Sequence, residues 1–352
     1  MDTFIAREPV DLLAVVPYVI GFHPEDSVVM LTFGVVGARR PGGQQGGPRD
    51  RPQDRGESFH ARVDLPVVLD DQRQLALMLL DVAVLHAAAR VGLVLYTDDV
   101  SAAMSFADQL LPGLIAAGIE VIDVLRVDGE RFYSVDDESD PGTPYDLSTH
   151  PYTATQVLRG RVVHKSRTAL RESLVGTDPD DIDAVSVAAT EMIDRLLDAG
   201  AGRRPLAEVL HGEALWLQGR IDRWLDRGAA LSVAEAARML VLVSFEALRD
   251  VAWAQMSQAT AEAHVELWRD LLRRAPGDLR GGAAALLGFA AWLAGDGALA
   301  WCAIDRCGDP SDSLAQQVAS LVESAAPPSV WTPPAAGSLR VLAPRGPGSA
   351  AS

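Results

Sequence analysis

Residues 11–33, DLLAVVPYVIGFHPEDSVVMLTF, decide how the first part of the chain folds. An apolar segment with helical character ends at Gly21, a Phe-His-Pro break follows, and a nearly uninterrupted apolar run begins at Ser27. Glycine and proline at such a break stop a helix, whereas a run rich in β-branched residues is typical of a strand buried on both faces. The stretch therefore predicts a helix that leads into the first strand of a buried sheet.

Strands and helices alternate after this first strand. We expect strands at 27–36, 59–65, 93–99, 119–127 and 131–135. Between them, helices are predicted to begin near Asp70 or Asp71 and near Asp98 or Asp99. This order requires right-handed crossovers and predicts the α/β class, with a mixed, largely parallel sheet and flanking helices. The first two strands are expected to form an antiparallel pair at one side of the sheet.

The second half of the chain is predicted to be helical. Asp178-Pro179 is a typical helix start, and the helices expected after it are 184–199, 213–227, 232–256, 260–274, 281–293, 298–307 and 313–325. We therefore divide the chain into an α/β domain, 1–177, and an all-α helical bundle, 178–328. A Gly/Pro/Gln/Arg-rich insertion, 37–58, and a tail, 329–352, are expected to be disordered, with Trp331 as an isolated aromatic that can dock.

Composition limits the classes of partner. The formal net charge of -17 disfavours a nucleic-acid partner, because phosphate binding depends on basic patches. Cys302 and Cys307 are the only cysteines and are placed too far around a helix to be bridged, so we expect reduced thiols and a cytoplasmic location. The uncharged run 281–295 is shorter than the roughly 20 residues that a spanning helix needs, which predicts a buried helix and no membrane partner.

Three phrases carry a resemblance to a known family. They are PYVIGFHPEDSVVMLTF (17–33), LVLYTDD (93–99) and DVLRVDGERFYS (123–134). In this order they resemble domain of unknown function 4192, a family of uncharacterised proteins of high-GC bacteria, and the similarity extends from Asp11 to about Pro328. The resemblance implies the architecture and brings no activity with it.

A second likeness lies in residues 286–310, LLGFAAWLAGDGALAWCAIDRCGDP. The order of small and large positions resembles a single tetratricopeptide-like helical hairpin. A solenoid needs about three such units, and only one is evident. We interpret the segment as a repeat-like hairpin packed in the bundle, with a peptide-binding groove as the alternative.

The first group of candidate ligand-binding residues surrounds the break before the first strand: Gly21, His23, Pro24, Asp26 and Ser27. Glycine, proline, aspartate and serine at these places have ordinary roles in a turn. His23 has no such role, but a general base needs a nucleophile within hydrogen-bond reach, and the sequence offers none to name. No catalytic residue is therefore assigned.

The second group is Asp98 and Asp99, at the carboxyl end of a predicted strand, where α/β proteins bind ligands. Two adjacent carboxylates can hold Mg²⁺, and an aspartate at a helix start can equally be a cap, which is the interpretation we favour. No Walker or dinucleotide motif and no metal-ligand spacing of histidines is present. We expect no metal site and no cofactor, with Mg²⁺ only if the aspartate pair binds a ligand.

The hypothesis we favour is a non-enzymatic cytoplasmic protein-interaction or scaffold module whose helical domain binds a protein partner. It depends on the apolar helix faces that carry Trp216, Trp224, Trp253, Trp268, Trp292 and Trp301, although helical spacing alone also fits a core position. The alternative is a nucleotide- or phosphometabolite-binding enzyme, or a degenerate relative of one, that uses Mg²⁺ at Asp98 and Asp99. The oligomeric state does not follow from the sequence.

Overall fold

The computed structural model describes residues 8–35, 59–137, 139–201 and 205–342. It divides into two compact units, the first ending at Arg167 and the second beginning at Thr168. The sequence placed the boundary ten residues later, after residue 177. The insertion predicted to be disordered, 37–58, lies outside the described residues.

The first unit is built on a mixed sheet. Its strands are β1 Ser27–Val35, β2 His60–Asp64, β3 Ala88–Tyr96, β4 Glu120–Val127, β5 Arg131–Ser134 and β6 Thr143–Pro144, and they lie in the order β2-β1-β3-β4-β5-β6. The predicted α/β class and the antiparallel pairing of β1 with β2 are confirmed. Among the described strands, only β3 and β4 pair in parallel, which is less than expected. β2 and β3 run in the same direction, but they do not pair with each other, because β1 lies between them and is antiparallel to both.

Helices cover both faces of this sheet. They are α1 Pro9–Ile20, α2 Leu69–Leu85, α3 Val100–Ala116 and α4 Pro151–Leu158. Side chains alternate along a strand, so that Met30 and Leu93 join the core formed with α2 and α3. On the other face, α1 approaches β3 closely, and a Cβ at Gly92 would lie 3.2 Å from Leu12 Cδ1. The sheet is therefore the middle layer of the first unit.

The starts and ends of these helices follow local chemistry. As predicted, α1 ends at Gly21, whose φ of 79° is left-handed and whose N–H donates to Pro17 O. The expected cap of α2 by Asp70 or Asp71 is wrong, because Val68 occupies the N-cap position without a side-chain hydrogen bond. Both aspartates lie in the first turn of α2 instead, where their charge favours the positive end of the helix dipole.

The second unit is helical. After α5 Arg167–Glu172, which lies at the division, come α6 Pro179–Ala201, α7 Leu206–Arg227, α8 Val233–Val243, α9 Glu246–Trp253, α10 Ala261–Arg274, α11 Arg280–Leu293, α12 Gly297–Ile304 and α13 Ser313–Glu323. Every residue of α11 from Gly282 to Leu293 is buried, which confirms the predicted buried helix. Within the described residues, no helix is both long and apolar enough to cross a membrane.

The single helix predicted at 232–256 is wrong, because the structure has α8 and α9 there. Phe245 is extended, with φ -94° and ψ 120°, and begins α9, while the Ser244 hydroxyl donates to Val241 O at 2.7 Å. Neither residue is a helix breaker in sequence. The end of α8 lies so close to α11 that a Cβ at Gly282 would overlap the Val243 carbonyl. We attribute the break to this tertiary packing.

The tail predicted to be disordered from residue 329 is described as far as residue 342. Trp331 donates its indole N–H to Met256 O at 2.9 Å, and its ring centroid lies 4.4 Å from that of Trp253 and 5.0 Å from that of Phe289. This docking contradicts the expected disorder for this part, because burying an aromatic ring offsets the entropy of ordering the chain. Residues 343–352 lie outside the described residues.

The segment that resembles a tetratricopeptide hairpin forms α11 and α12, which pack closely. A Cβ at Gly288 would lie 2.7 Å from Ile304 Cγ2, so the two helices need a residue without a side chain at this position. The assignment as a tetratricopeptide-like unit stays a prediction.

Candidate functional site

Both groups of predicted site residues lie at one edge of the sheet. We call this the carboxyl edge, defined by the ends of β2, β3 and β4 and by the start of β1. Because β1 is antiparallel to β3, Ser27 at its start is paired with Tyr96 at the end of β3. The topology thus brings the segment that holds His23 and Asp26 to the edge that also holds Asp98.

The segment before β1 is fixed mainly by its backbone. Gly21 O accepts a hydrogen bond from His164 N at 2.9 Å, and His23 N donates to His164 O at 3.0 Å. Asp26 has a left-handed φ of 41°, and its main-chain oxygen accepts from Leu65 N at 2.9 Å. This segment is therefore bound on both sides, to the chain near His164 and to the residue after β2.

The side chains of the same segment differ in exposure. Pro24 and Ser27 are buried, and the Ser27 hydroxyl has no hydrogen-bond partner in the described part of the chain. The side chain of His23 is exposed, although partial burial of its ring lowers its pKa below the ordinary value. An exposed imidazole without a bound carboxylate or nucleophile lacks the arrangement of a general base.

Asp99 has the role of a helix cap. Its Oδ1 accepts a hydrogen bond from Ala102 N at 2.9 Å, and its own N–H donates to Thr97 Oγ1 at 3.1 Å. Asp98 is exposed and makes no side-chain hydrogen bond to another described residue. In the ranges that the structure describes, no group of three or more His, Cys, Asp or Glu side chains could hold a metal ion.

The sequence did not identify Arg126 as a residue of this edge. Arg126 lies in β4 opposite Tyr133 of β5, and its guanidinium carbon is 3.9 Å from the centroid of the Tyr133 ring. Its Nη1 donates to Thr97 O at 3.2 Å, and the residue is 8% exposed. None of the ion pairs found among the described residues includes Arg126. A buried guanidinium stacked on a ring and bound to the main chain joins β3, β4 and β5.

Asp128 completes this arrangement at the turn between β4 and β5. It accepts hydrogen bonds from the Tyr133 hydroxyl at 2.7 Å, from Arg131 N at 2.9 Å and from Glu130 N at 3.1 Å. Burial alone would raise the pKa of Asp128, but these hydrogen bonds and the charge of Arg126 hold that pKa below its usual value. Asp128 is therefore ionised and committed to the hairpin.

The acidic loop after β5 is bound to the same arrangement. Asp140 accepts from Ser134 N at 2.7 Å and from Gly142 N at 2.8 Å. Gly142 has a φ of 74° and lies so close to Tyr133 that a Cβ would overlap the ring. One signal of this cluster was visible in sequence, namely Arg126 as the single basic residue of β4, but its partners depend on the hairpin register.

The outer face of α2 has the opposite character. We call the residues turned away from the sheet the α2 outer face: Arg73, Leu77, Met78, Asp81, Val84 and Leu85. Leu77, Val84 and Leu85 are 57%, 53% and 69% exposed. The opposite side of the helix, with Leu75 and Leu79, is buried in the core. Apolar residues therefore lie on both sides of α2, and those of the outer face are exposed within the described part of the chain.

A family model described as domain of unknown function (DUF4192) matches residues 9–329. The chain belongs to this family. The match confirms the resemblance that the three phrases indicated, and it includes both the carboxyl edge and the α2 outer face of the DUF4192 chain. No curated protein and no solved structure matches the chain.

The tryptophans of the DUF4192 chain serve packing in the second unit. Trp268 and Trp292 are buried, and Trp216, Trp224, Trp253 and Trp301 are partly buried. Trp224 and Trp292 donate their indole N–H groups to Ala263 O at 3.1 Å and to Ala326 O at 2.9 Å. These six residues therefore do not form an exposed aromatic face.

Proposed function

We propose that this DUF4192 protein is a non-enzymatic protein-interaction module and that the α2 outer face is its contact surface. The observation that supports the proposal is the exposure of Leu77, Val84 and Leu85 on one side of one helix. Val67 and Val68, which precede α2, are 87% and 58% exposed and extend the apolar surface. Soluble proteins rarely keep such a surface in water unless it binds another molecule.

The carboxyl edge supports the non-enzymatic part of the proposal. Asp99 and Asp128 accept hydrogen bonds from the main chain, so their carboxylates already have the donors that a substrate would have to replace. A general acid or base needs a group that is held near the reacting atoms and is available to exchange a proton. Asp99 and Asp128 are used instead to fix a helix start and a hairpin.

The contact surface differs from the one that the sequence favoured. The hypothesis of a partner on the helical domain depended on tryptophan faces, and these tryptophans are buried or partly buried in the second unit. We therefore place the surface on α2. A partner for the helical domain and a cytoplasmic location stay predictions.

Site-specific photo-crosslinking tests the proposal. A photoreactive amino acid is introduced at Leu77, on the α2 outer face, or at Asp108, an exposed polar position of α3, and the full chain is expressed in the cells that naturally make it. We expect one discrete crosslinked product from position 77 and none from position 108. The product should disappear when Leu85→Glu is added, because a charge then replaces an apolar contact. Equal products, or none, at both positions would contradict the proposal.

A second candidate function is binding of a phosphate-bearing small molecule with Mg²⁺ at the carboxyl edge. It is favoured by Arg126, a buried cation outside the ion pairs of the described residues, and by the exposed carboxylate of Asp98 at the same edge. Mg²⁺ is commonly bound by one or two carboxylates together with substrate phosphates. This candidate needs Asp98 as the metal ligand, since Asp99 is used as the cap.

A thermal-shift screen of nucleotides with and without Mg²⁺ tests this second candidate. A ligand at about 100 times its dissociation constant stabilises a protein by roughly 2.7 kcal/mol, which is a readable shift. The Asp98→Ala variant is the matched control, because it removes the exposed carboxylate and keeps the cap. A shift that needs Mg²⁺ and is absent in Asp98→Ala supports the candidate, and no shift with any nucleotide removes it.

A further inference from the structure

Two arginines lie at the same end of the hairpin formed by α11 and α12 in the second unit. Arg280 is the first residue of α11, and Arg306 follows the last turn of α12. The residues next to them are in contact, because a Cβ at Gly281 would lie 3.2 Å from Cys307 O, and Cys307 Sγ donates to Gly281 O at 3.5 Å. This contact between the two backbones brings two cationic side chains to one place.

Both arginines lack an acceptor. They are half-buried, and their Nε atoms are buried with no hydrogen-bond partner in the described residues. Nor does any ion pair in that part of the chain include Arg280 or Arg306. In contrast, Arg274 of the same unit donates two hydrogen bonds to the carboxylate of Asp181. A buried donor without an acceptor costs stability, so the pair is unexpected in a chain with a net charge of -17.

The electrostatic potential at this place is positive. Burial lowers the pKa of Arg306, and the nearby charges of Arg280 and Arg171 lower it further. Arg171 is an exposed residue of α5, and the ion pairs of the described ranges do not include it. The start of α11 adds to the potential, because its N-cap, Leu279, makes no side-chain hydrogen bond and its first turn has no acidic residue. We call Arg171, Arg280 and Arg306 the arginine cluster.

Carboxylates that follow α12 are used elsewhere. Asp309 accepts hydrogen bonds from Ser311 N at 2.8 Å and from Ser311 Oγ at 2.7 Å. Asp312 accepts from Ala315 N at 2.9 Å and forms an ion pair with Arg249. Three more carboxylates that are near the cluster in sequence are exposed, and no ion pair between described residues joins them to it: Glu172, Asp278 and Asp305.

We propose that the arginine cluster binds a small-molecule phosphate group without a metal ion. A guanidinium has five N–H donors in a planar fork that matches the oxygens of a phosphate. A phosphate monoester carries a charge of about -1.5 to -2 at pH 7 and has three acceptor oxygens, so it can offset the repulsion among several cations. A carboxylate has one charge and two oxygens and fits this cluster less well. The site lies in the second unit and is separate from the α2 outer face and from the Mg²⁺ candidate at the carboxyl edge.

Titration calorimetry of the full-length protein tests the proposal, with inorganic phosphate and glycerol phosphate as the probes and NaCl to keep the ionic strength constant. We expect saturable binding in the absence of Mg²⁺. Arg280→Gln and Arg306→Gln should each raise the dissociation constant at least about tenfold, because each removes charge-assisted hydrogen bonds. Arg223→Gln, which removes an exposed arginine of α7, is the matched control and should keep the constant within about twofold. Tighter binding of glycerol phosphate indicates a phosphorylated metabolite, and tighter binding of inorganic phosphate indicates the free ion.

Thermal unfolding without phosphate gives an independent measurement. Loss of one of several like charges relieves repulsion, so Arg306→Gln should unfold at the same or a higher temperature than the natural chain, and phosphate should stabilise it less. Circular dichroism checks that each variant is folded. A natural chain that does not bind phosphate overturns the proposal, and so do dissociation constants that are unchanged in both variants. A response that needs Mg²⁺ and is lost in Asp98→Ala also overturns it and supports the carboxyl edge instead.

Discussion

The carboxyl edge and the α2 outer face are both in the first unit, and they use their residues in opposite ways. At the carboxyl edge, two carboxylates are bound to the chain itself, Asp99 to Ala102 and Asp128 to Tyr133. On the α2 outer face, Leu77 and Leu85 are exposed among the residues that the structure describes. Residue type alone therefore does not locate the surface that is available to a partner.

The energetic reason is that a carboxylate and a leucine contribute to stability in different ways. A carboxylate at a helix start or a turn satisfies main-chain donors that would otherwise need water, so it stabilises the fold without any ligand. A leucine left in water forgoes about 1.5–3 kcal/mol that its burial would contribute. Burial of Leu77 and Leu85 against a second surface would therefore recover this stabilisation.

The largest expected effect is on the free energy of unfolding, and it differs between the buried and the exposed side of α2. Leu79→Ala removes a side chain that is 1% exposed, and we expect the free energy of unfolding to fall by about 2–5 kcal/mol. Leu77→Ala on the α2 outer face should change it by less than about 0.5 kcal/mol in dilute, monomeric protein. Urea unfolding followed by circular dichroism measures both. Equal losses would show that Leu77 is packed within the subunit, which removes the basis of the comparison.

The next effect concerns stability in acid. It compares His264 of the second unit with His23 of the carboxyl edge, to test whether His23 interacts with another titratable group. Burial lowers the pKa of His264 in the second unit from 6.5 to about 4, although the main chain of Gln255 acts in the opposite direction. The unfolded chain therefore binds a proton first as the pH falls. The contribution of neutral His264 to stability is therefore complete above pH 6.5. Between pH 6.5 and 4, the free energy of unfolding falls by about 1.4 kcal/mol for each pH unit.

Unfolding at pH 7 and pH 5 measures this dependence. Tryptophan fluorescence follows the second unit, which contains all tryptophans, and circular dichroism follows both units. We expect His264→Gln to reduce the difference between the two pH values and His23→Gln to reduce it by less, because burial lowers the pKa of both residues and the His23 side chain is exposed. A larger effect from His23 would reveal a coupled group at the carboxyl edge. That outcome would favour a chemical role for the carboxyl edge.

The smallest effect tests the helix cap. Asp99→Ala should lower the free energy of unfolding by about 0.5–2 kcal/mol, because Ala102 N loses its acceptor. Asp99→Asn should retain most of the stability, since asparagine is an equally good cap. Asp98→Ala should have little effect. A stability that depends on Mg²⁺ in the natural chain and not in Asp98→Ala would contradict the structural role of this pair.

The sequence was sufficient where a structure depends on neighbouring residues. Gly21 ends α1, Asp99 caps α3, and Asp178 accepts from Asp181 N at 3.1 Å at the start of α6. The sequence failed where the outcome depends on residues far apart in the chain. The contacts of Arg126 depend on the register of the β4–β5 hairpin, which places Arg126 opposite Tyr133. The position of the Tyr133 ring depends in turn on the loop that follows β5 and packs against it.

Helical spacing also failed to identify the α2 outer face. Met78 and Leu85 share the spacing of Leu75 and Leu79, and all four fit one broad apolar face in sequence. The structure buries Leu75 and Leu79 and leaves Met78 and Leu85 exposed, because the sheet and α3 cover only part of the circumference of α2. A spacing pattern shows which side of a helix is apolar, and only the layers around the helix decide how much of that side is covered.

The outermost strands of the sheet have a consequence for how copies of the molecule can associate. At one border lies β6, which is two residues long, and at the other lies β2, which is five residues long and carries the charged Arg62. Short edge strands expose few unpaired backbone N–H and C=O groups to a strand of another molecule, and charged side chains oppose strand pairing at these edges. Growth into fibrils by strand addition is thus discouraged, and association through a helix remains compatible with a finite, closed assembly.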